Sequence, residues 1–597
     1  MLKKTGNTML EAEEVAAVRR RQCWSATWGG RVILLCALML SSSVARAGSP
    51  KMSKDLAGKP AFDQVDVIVQ YTQAPTARHH QKVLSRGGTL KQELGAVKGG
   101  VYRMPASALA DLAADPDVAY MTPDRPLSGT LDSSATLDYH TGTINAPYAW
   151  GIGYDGRGIG VAVIDSGIID IPDLKKYSVV YSQNFVGNGS GSATDQYGHG
   201  THVAGIIAGT GNKSKGPNYS YTFQGIADNV SLINLRVLDQ NGQGTDSQVI
   251  AAIQTAISLK STYNIRVINL SLGRPVYESY TLDPICQAVE EAWKAGIVVV
   301  VAAGNEGRDN SANTNGYGTI TAPGNDPFVI TVGAMNTKGT PSRADDVIAS
   351  YSSKGPTLYD HLVKPDLVAP GNRIISLYTA SLTLPKNYPG NEIPYSLYQV
   401  NGSTNASPTY YRLSGTSMAA PMVSGTVALM LQQTSALTPD QVKARLMKTA
   451  YKNLIPYNTA TDPTTGQSYN SQADIFTVGA GYLDIQAALS NTDLAPAKAG
   501  SALSPAVTTD ASGNIVLVTG SSVIRGGSIM WGNSVVWGTS VLWGTNTVGQ
   551  SVLWGTSVCW GTSTMQGYSV LWGTSVLWGV SSNDAGEATG IIINGED

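Results

Sequence analysis

Three short strings carry residues whose types could do chemistry together. Ser417 lies in LSGTSMAAPMVSG, ahead of an apolar run from Val423 to Leu431 that reads as a helix. A serine in the first turn of a helix has its hydroxyl near the positive end of the dipole. The small neighbours Gly415, Ala419 and Ala420 let a second backbone approach it. Pro421 is expected in a first turn, where its missing N–H is not needed. Asp165 ends the apolar run of GIGVAVIDSGI, which reads as a buried strand over Gly160 to Ile164. In open α/β sheets, sites collect at the carboxyl ends of such strands. His199 and His202 open GHGTHVAGIIAG, an apolar stretch with helical spacing. A serine, an imidazole and a carboxylate brought together make an activated nucleophile: the ring takes the hydroxyl proton and the carboxylate orients the ring. Each string alone has a plainer reading, as a serine cap, a turn aspartate or a histidine packed at a helix start. Two histidines three apart could also share a metal, but no HExxH glutamate or third ligand accompanies them.

The intervening segments say what must position these groups. VSLINLRVL, RVINLSL and GIVVVVAAG read as buried strands, with GTDSQVIAAIQTAI and LDPICQAVEEAWKAG as helical crossovers. The alternation predicts an α/β fold, a parallel sheet covered by helices on both faces. LTPDQVKARLMKTA opens on a Thr-Pro cap signal and ends the domain before GAGYLDIQAAL. The net charge of −2 gives no electrostatic case for nucleic acid. With Cys23 and Cys36 in the leader, Cys286 and Cys559 allow at most one disulfide, so this is no disulfide-stapled scaffold. Cys286, in an amphipathic helix pattern, reads as a buried free thiol.

The chain order is Asp, His, Ser. The strings VAVIDSGI, GHGTHVAG, VINLSLG, VVAAGNEG, YSSKGP, KPDLVAPG and GTSMAAPMVSG resemble those of the subtilisin-like serine peptidases, or subtilases, and run in family order from about Ala146 to Leu489. The resemblance implies a catalytic domain over about 138–491 that hydrolyses peptide bonds. Ser417 would be the nucleophile, His199 the general base and then acid, and Asp165 the residue that holds the imidazole. Asn305 in AAGNEG would donate to the oxyanion. Gly242 and Gly244 on one side, and Ser271, Leu272 and Gly273 on the other, would flank an extended substrate. Ala302 and Gly304 would line the pocket for the residue before the cut, a roomy apolar one. The chemistry requires no cofactor.

Around this domain the sequence changes character. Arg19 to Arg21 and Arg31 precede the apolar run Val32 to Leu40, then Ala45-Arg46-Ala47, so 1–47 reads as a signal peptide and the mature protein as secreted, extracellular or held at the cell surface. That run is too short to span a bilayer. Residues 60–128 read as strand, helix, strand, helix, strand, with VDVIVQY first and DVAYMTPDRP last. The layout resembles the family's inhibitor-like propeptide, which makes the chain's own α+β segment an inhibitory partner and Arg125 to Leu137 its processing stretch.

Two segments depart from compact family members. Tyr378 to Arg412 is a long stretch rich in Tyr, Asn, Ser and Pro with no helical period, read as a surface insertion or a lid. Gly209 to Gly225 does not resemble the family's calcium loop, leaving Asp173 as the candidate ligand for a structural calcium. After residue 491 an Ala/Pro/Ser-rich linker, 492–520, leads to a Trp-Gly repeat, 521–580. Its hexad of about Ser-Val-Leu-Trp-Gly-Thr puts Val and Trp on one strand face, so a β-rich tail is expected. The step from Trp543 to Trp554 is eleven residues, an odd number that reverses the face without a bulge or turn. The tail's partner is not readable, and the competing function is an idle scaffold that acts through this tail.

Overall fold

The computed structural model describes residues 51–57, 59–128, 139–187, 189–462, 466–509 and 596, with short backbone segments at 515–518, 529–531, 542–544, 550–552 and 559–561. The leader, residues 129–137 of the processing stretch, residue 138 and most of the repeat lie outside the described residues. Among the described residues no helix is long and apolar enough to cross a membrane.

The first layer pair holds strands β1 (Gln64–Tyr71), β2 (Thr89–Leu94), β3 (Gly99–Pro105) and β4 (Val118–Pro123), in the order β2-β3-β1-β4. Its β1–β3, β1–β4 and β2–β3 pairs are all antiparallel. Helices Ala77–Leu84 and Leu109–Ala113 cover it, and Val67, Val69, Tyr102, Met104, Leu112 and Met121 form its own small core. The middle of this segment is thus a pair of strands where the sequence suggested one. Strand β2, TLKQEL, is an edge strand with a single buried residue, so it lacks the apolar alternation that marks a strand. A short strand β5 (Pro126–Ser128) follows.

The main sheet takes β6 (Gly160–Asp165), β7 (Val179–Asn184), β8 (Ser231–Arg236), β10 (Ile265–Leu270), β11 (Val298–Ala302), β12 (Ile330–Asn336), β13 (Val347–Ile348) and β14 (Leu367–Pro370). Its path runs β13-β12-β11-β10-β6-β8-β7, with β14 also on β12. Every pair is parallel except β12–β13. GVAVID in β6 and VVVVA in β11 are buried at every residue, as strands covered on both faces must be. Helices His199–Ala208 and Thr416–Gln433 pack together, as do Asp246–Ser258 and Pro284–Lys294, and both pairs bury apolar residues in the sheet's core. Chain order reverses at β6: the next parallel neighbours lie on one side, β10 on the other. Asp165 sits at the carboxyl end of this switch strand, where such sheets place their sites. Cys286 is buried and unbridged, and its thiol meets Asn325 Oδ1 at 3.3 Å.

The long stretch after residue 378 is built, not loose. Strands β15 (Ile374–Leu377), β16 (Glu392–Pro394) and β17 (Ala406–Leu413) form a sheet in the order β15-β17-β16. Tyr398, Tyr410 and Tyr411 are buried there, and Tyr398 stacks on Tyr219 at 5.9 Å with the rings 6° from parallel. Hairpin β18 (Tyr457–Thr461) and β19 (Ser468–Gln472) follows. The expected linker also differs from expectation. Val507 packs with Val363 and Phe476, and Ser504 Oγ donates to buried Asp366 at 2.6 Å. The Ala/Pro/Ser composition that resembles a linker here supplies small residues that fit against the body. Strand β20 (Ala506–Thr509) pairs with β21 (Ile515–Val518). In the repeat, β22 (Ile529–Trp531) pairs antiparallel with β24 (Gln550–Val552), and β23 (Leu542–Gly544) pairs parallel with β25 (Cys559–Gly561).

Candidate active site

Asp165 and His199 meet where β6 ends and the helix His199–Ala208 begins. Nδ1 of His199 lies 2.8 Å from Oδ1 and 3.0 Å from Oδ2 of Asp165, and both side chains are fully buried. A carboxylate only accepts, so Nδ1 carries the proton and Nε2 presents its lone pair. Nε2 has no hydrogen-bond partner in the structure.

The backbone geometry around this pair is enforced by a residue that the sequence reading missed. Asp195 is buried and accepts five hydrogen bonds. Its Oδ1 takes Ser166 Oγ at 2.9 Å, Tyr197 N at 2.9 Å and Gly198 N at 2.8 Å. Its Oδ2 takes Thr201 N at 2.9 Å and Thr201 Oγ1 at 2.7 Å. Ser166 N in turn donates to Asp165 Oδ1 at 2.7 Å, and Gly200 N donates to Ser166 Oγ at 2.9 Å. One carboxylate thus ties the end of β6 to the first turn of the histidine helix. The signal was present: an acid four residues before His199, at a helix N-terminus. Gly200 is needed for the same close approach, since a Cβ there would fall 2.2 Å from Gly167 O.

Ser417 is the second residue of its helix and almost fully buried. Its hydroxyl donates to Ser271 O at 3.1 Å, and Ser271 Oγ donates back to Ser417 O at 2.8 Å. The second bond explains Pro421, which lies six residues into the helix and not in the first turn. An ordinary residue at 421 would donate its N–H to Ser417 O. Proline cannot, and Ser271 supplies a donor instead. Asn269 Nδ2 holds Ser271 Oγ at 2.9 Å, and Ser424 Oγ holds Asn269 Oδ1 at 2.8 Å. Ser271, expected beside the substrate, therefore also anchors the serine's backbone.

Asn305 sits against the same turn. Its Oδ1 accepts Thr416 N at 2.9 Å and Thr416 Oγ1 at 3.1 Å, which fixes the plane of the amide next to Ser417. Ala302 ends β11, and Gly304 N donates to Thr416 Oγ1 at 3.1 Å. A Cβ on Gly304 would come within 2.8 Å of Glu306 Oε2, which also accepts Asn305 N at 2.7 Å. A carboxylate therefore lies beside Gly304, in the stretch expected to line the pocket before the cut. Leu272 and Gly273 follow β10, on the side where Ser271 meets Ser417. Gly242 and Gly244 lie at β9 (Gln243–Thr245), whose edge is taken by β5 in antiparallel register, Leu127 opposite Gly244.

Asp173, the candidate calcium ligand, accepts the Tyr410 hydroxyl and Lys213 N, and burial raises its pKa. His202 is a tie between layers, with Nε2 3.2 Å from Ile374 O and 3.1 Å from Tyr411 O. Burial pushes its pKa down to about 3. A depressed histidine favours the neutral folded form, so its contribution to stability is complete above the ordinary value near 6.5 and falls as pH drops below it. Stability should fall by roughly 1.4 kcal/mol per pH unit from this group alone between about 6.5 and 3. Urea midpoints at pH 7.5 and 5 should therefore differ more for the native chain than for His202→Gln, and equal slopes would refute the assignment.

Residues 156–481 match the Subtilase family, more than half of the chain. The chain belongs to the subtilase family. Among relatives of this subtilase, serine protease AprX of Bacillus subtilis (strain 168) is 39% identical over 296 residues, 49% of this chain and 61% of the relative. This subtilase therefore spans about three fifths of that relative's length. Subtilisin E of the same strain is 34% identical over 424 residues, 70% of this chain and 93% of the relative. The crystal structure of fervidolysin from Fervidobacterium pennivorans, described as a keratinolytic enzyme related to subtilisin, shares the fold of this subtilase. The match has a TM-score of 0.52 at 23% identity and covers 79% of this chain and 66% of that one.

Proposed function

We propose that this subtilase is a secreted serine endopeptidase that works through Asp165, His199 and Ser417 and is made as a self-processing precursor. The observation that carries the reading is the buried Asp165–His199 pair, which leaves Nε2 unpartnered, on a helix that packs against the helix bearing Ser417. The Ser417 hydroxyl turns from Ser271 O toward Nε2 and attacks the scissile carbonyl, and His199 takes its proton. Asp165 stabilises the imidazolium that forms. The Asn305 amide and the Ser417 N–H donate to the oxyanion. His199 then protonates the leaving amine, and water repeats the sequence to release the acyl group. Catalytic hydrogen bonds are commonly unformed until substrate binds, so the present Ser417–Ser271 contact is compatible with this role.

The segment before residue 129 supports the precursor reading. β5 adds to β9 by main-chain pairing, as an extended substrate would. Arg125, beside it, is buried between Asp55 at 3.0 Å and Glu278 at 2.6 Å. Asp124 accepts Ser247 N at 2.8 Å at the start of the helix Asp246–Ser258, where a negative charge is favoured. The α+β segment would therefore hold its own tail against β9 until the chain is cut. The leader composition supports export, and protein or peptide substrates are the expected partners. A fluorophosphonate probe should label the mature enzyme at Ser417 and fail on heat-unfolded protein. Absence of labelling would favour the idle scaffold that acts through the repeat.

A further inference from the structure

Glu596 occupies a polar cradle that the reaction above does not use. It is fully buried. Its carboxylate accepts from Arg308 Nη2 at 3.1 Å, from Ser350 N at 3.0 Å and from the Ser350 hydroxyl. Its main-chain carbonyl accepts from Asn336 Nδ2 at 3.2 Å and Asn372 Nδ2 at 3.0 Å, and its N–H lies 3.4 Å from Asn372 Oδ1. The cradle itself is stiff. Arg308 is held by Ser350 Oγ at 2.7 Å and Asp462 at 2.9 Å and lies over the Tyr469 ring at 4.6 Å. Burying a glutamate and an arginine together is costly unless both are fully paired. Here the charge and the main chain of one residue are paired at once, which is how a protein reads a peptide and not how two surfaces brush together.

The four cradle residues come from the end of β12, the turn after β13, the loop after Asn305 and the turn after β14. The last two lie close in sequence to residues beside the proposed catalytic groups. Arg308 is three residues beyond Asn305. Asn372 follows Gly371, whose carbonyl accepts Gly415 N at 2.8 Å and the Tyr351 hydroxyl at 3.1 Å.

We propose that this cradle is a binding site for an acidic peptide segment, and that the segment bearing Glu596 in this chain is its occupant. The repeat then lies between two anchors, the packed residues around Val507 before it and Glu596 after it. A single cut inside the repeat would leave both pieces attached. This proposal does not depend on the assigned catalytic roles.

The test uses the full-length chain with Ser417→Ala to prevent self-digestion, with and without Glu596→Lys. The lysine variant should lose about 5 °C in Tm, since a buried pair is broken in a large domain. A labelled heptapeptide of residues 591–597, IIINGED, should bind the lysine variant, shown by fluorescence anisotropy, and recover most of the lost Tm at saturating peptide. It should bind poorly to the chain with its own Glu596, where the cradle is occupied. The same peptide carrying lysine in place of its glutamate should neither bind nor rescue. An unchanged Tm with no peptide binding overturns the proposal. So does a lowered Tm that neither peptide restores, or equal binding of both peptides.

Discussion

Ser417→Ala purified without any other protease should show no peptide-bond hydrolysis and should remain uncut between Arg125 and Leu137. The expected loss in kcat is about 10⁶, the size measured for the nucleophile in subtilisin, a relative of this chain. The substitution removes one hydroxyl whose present partner is Ser271 O. Losing such a bond costs about 1 kcal/mol, a small part of a domain's stability. The variant should therefore fold, keep its near-ultraviolet circular dichroism and accumulate as the full-length form. Efficient maturation of this variant alone would remove both the nucleophile and the self-processing assignments. Full activity with normal maturation would point to a different serine.

The two histidines of GHGTHVAG should separate cleanly. His199→Ala should cost nearly as much kcat as Ser417→Ala, because the members of a triad act as a unit. Its Tm should move less than its rate, although Asp165 loses a buried partner. His202→Ala should behave in the opposite way. It removes the bonds to Ile374 O and Tyr411 O and leaves a hole between the helix and the β15–β17 sheet. A loss of about 2–4 kcal/mol in stability, with kcat within about tenfold, is the expected result. The pair of measurements, kcat on a short peptide and Tm, decides the assignment. A larger kcat loss for His202 at intact Tm would make it the base.

Much of this site is legible in sequence because its groups sit on strongly patterned elements. Asp165 ends a strand whose other residues are all apolar, and His199 and Ser417 open apolar helices, so periodicity alone frames them. What escapes is the set of contacts made across the fold. Pro421 looks like a first-turn proline until Ser271 is seen to serve the carbonyl it leaves free. Asp195 looks like one more loop acid until five donors converge on it. Asp173 is a lone acid in the sequence, which does not show the Tyr410 hydroxyl opposite it, more than two hundred residues away. Tyr378 to Arg412 has no helical period because its order is that of a small sheet fastened by tyrosines. Within the expected 492–520 linker, composition misled for the residues around Ala495 to Val507, since small residues serve equally in a flexible tether and in a segment laid against a surface.

The edge of β9 has room for one guest strand, and β5 is that guest. While the chain is intact, the guest is present at the effective concentration of a tethered partner, of millimolar order. If β9 is where substrate binds, as proposed above, a substrate at micromolar concentration would lose that competition regardless of how well the catalytic groups are arranged. Once the connecting chain is cut, the same strand competes only at its real concentration in solution. In the proposed precursor, dilution would then become a switch: a crowded compartment would keep the cut enzyme silent, and release into a large volume would turn it on without any further covalent change.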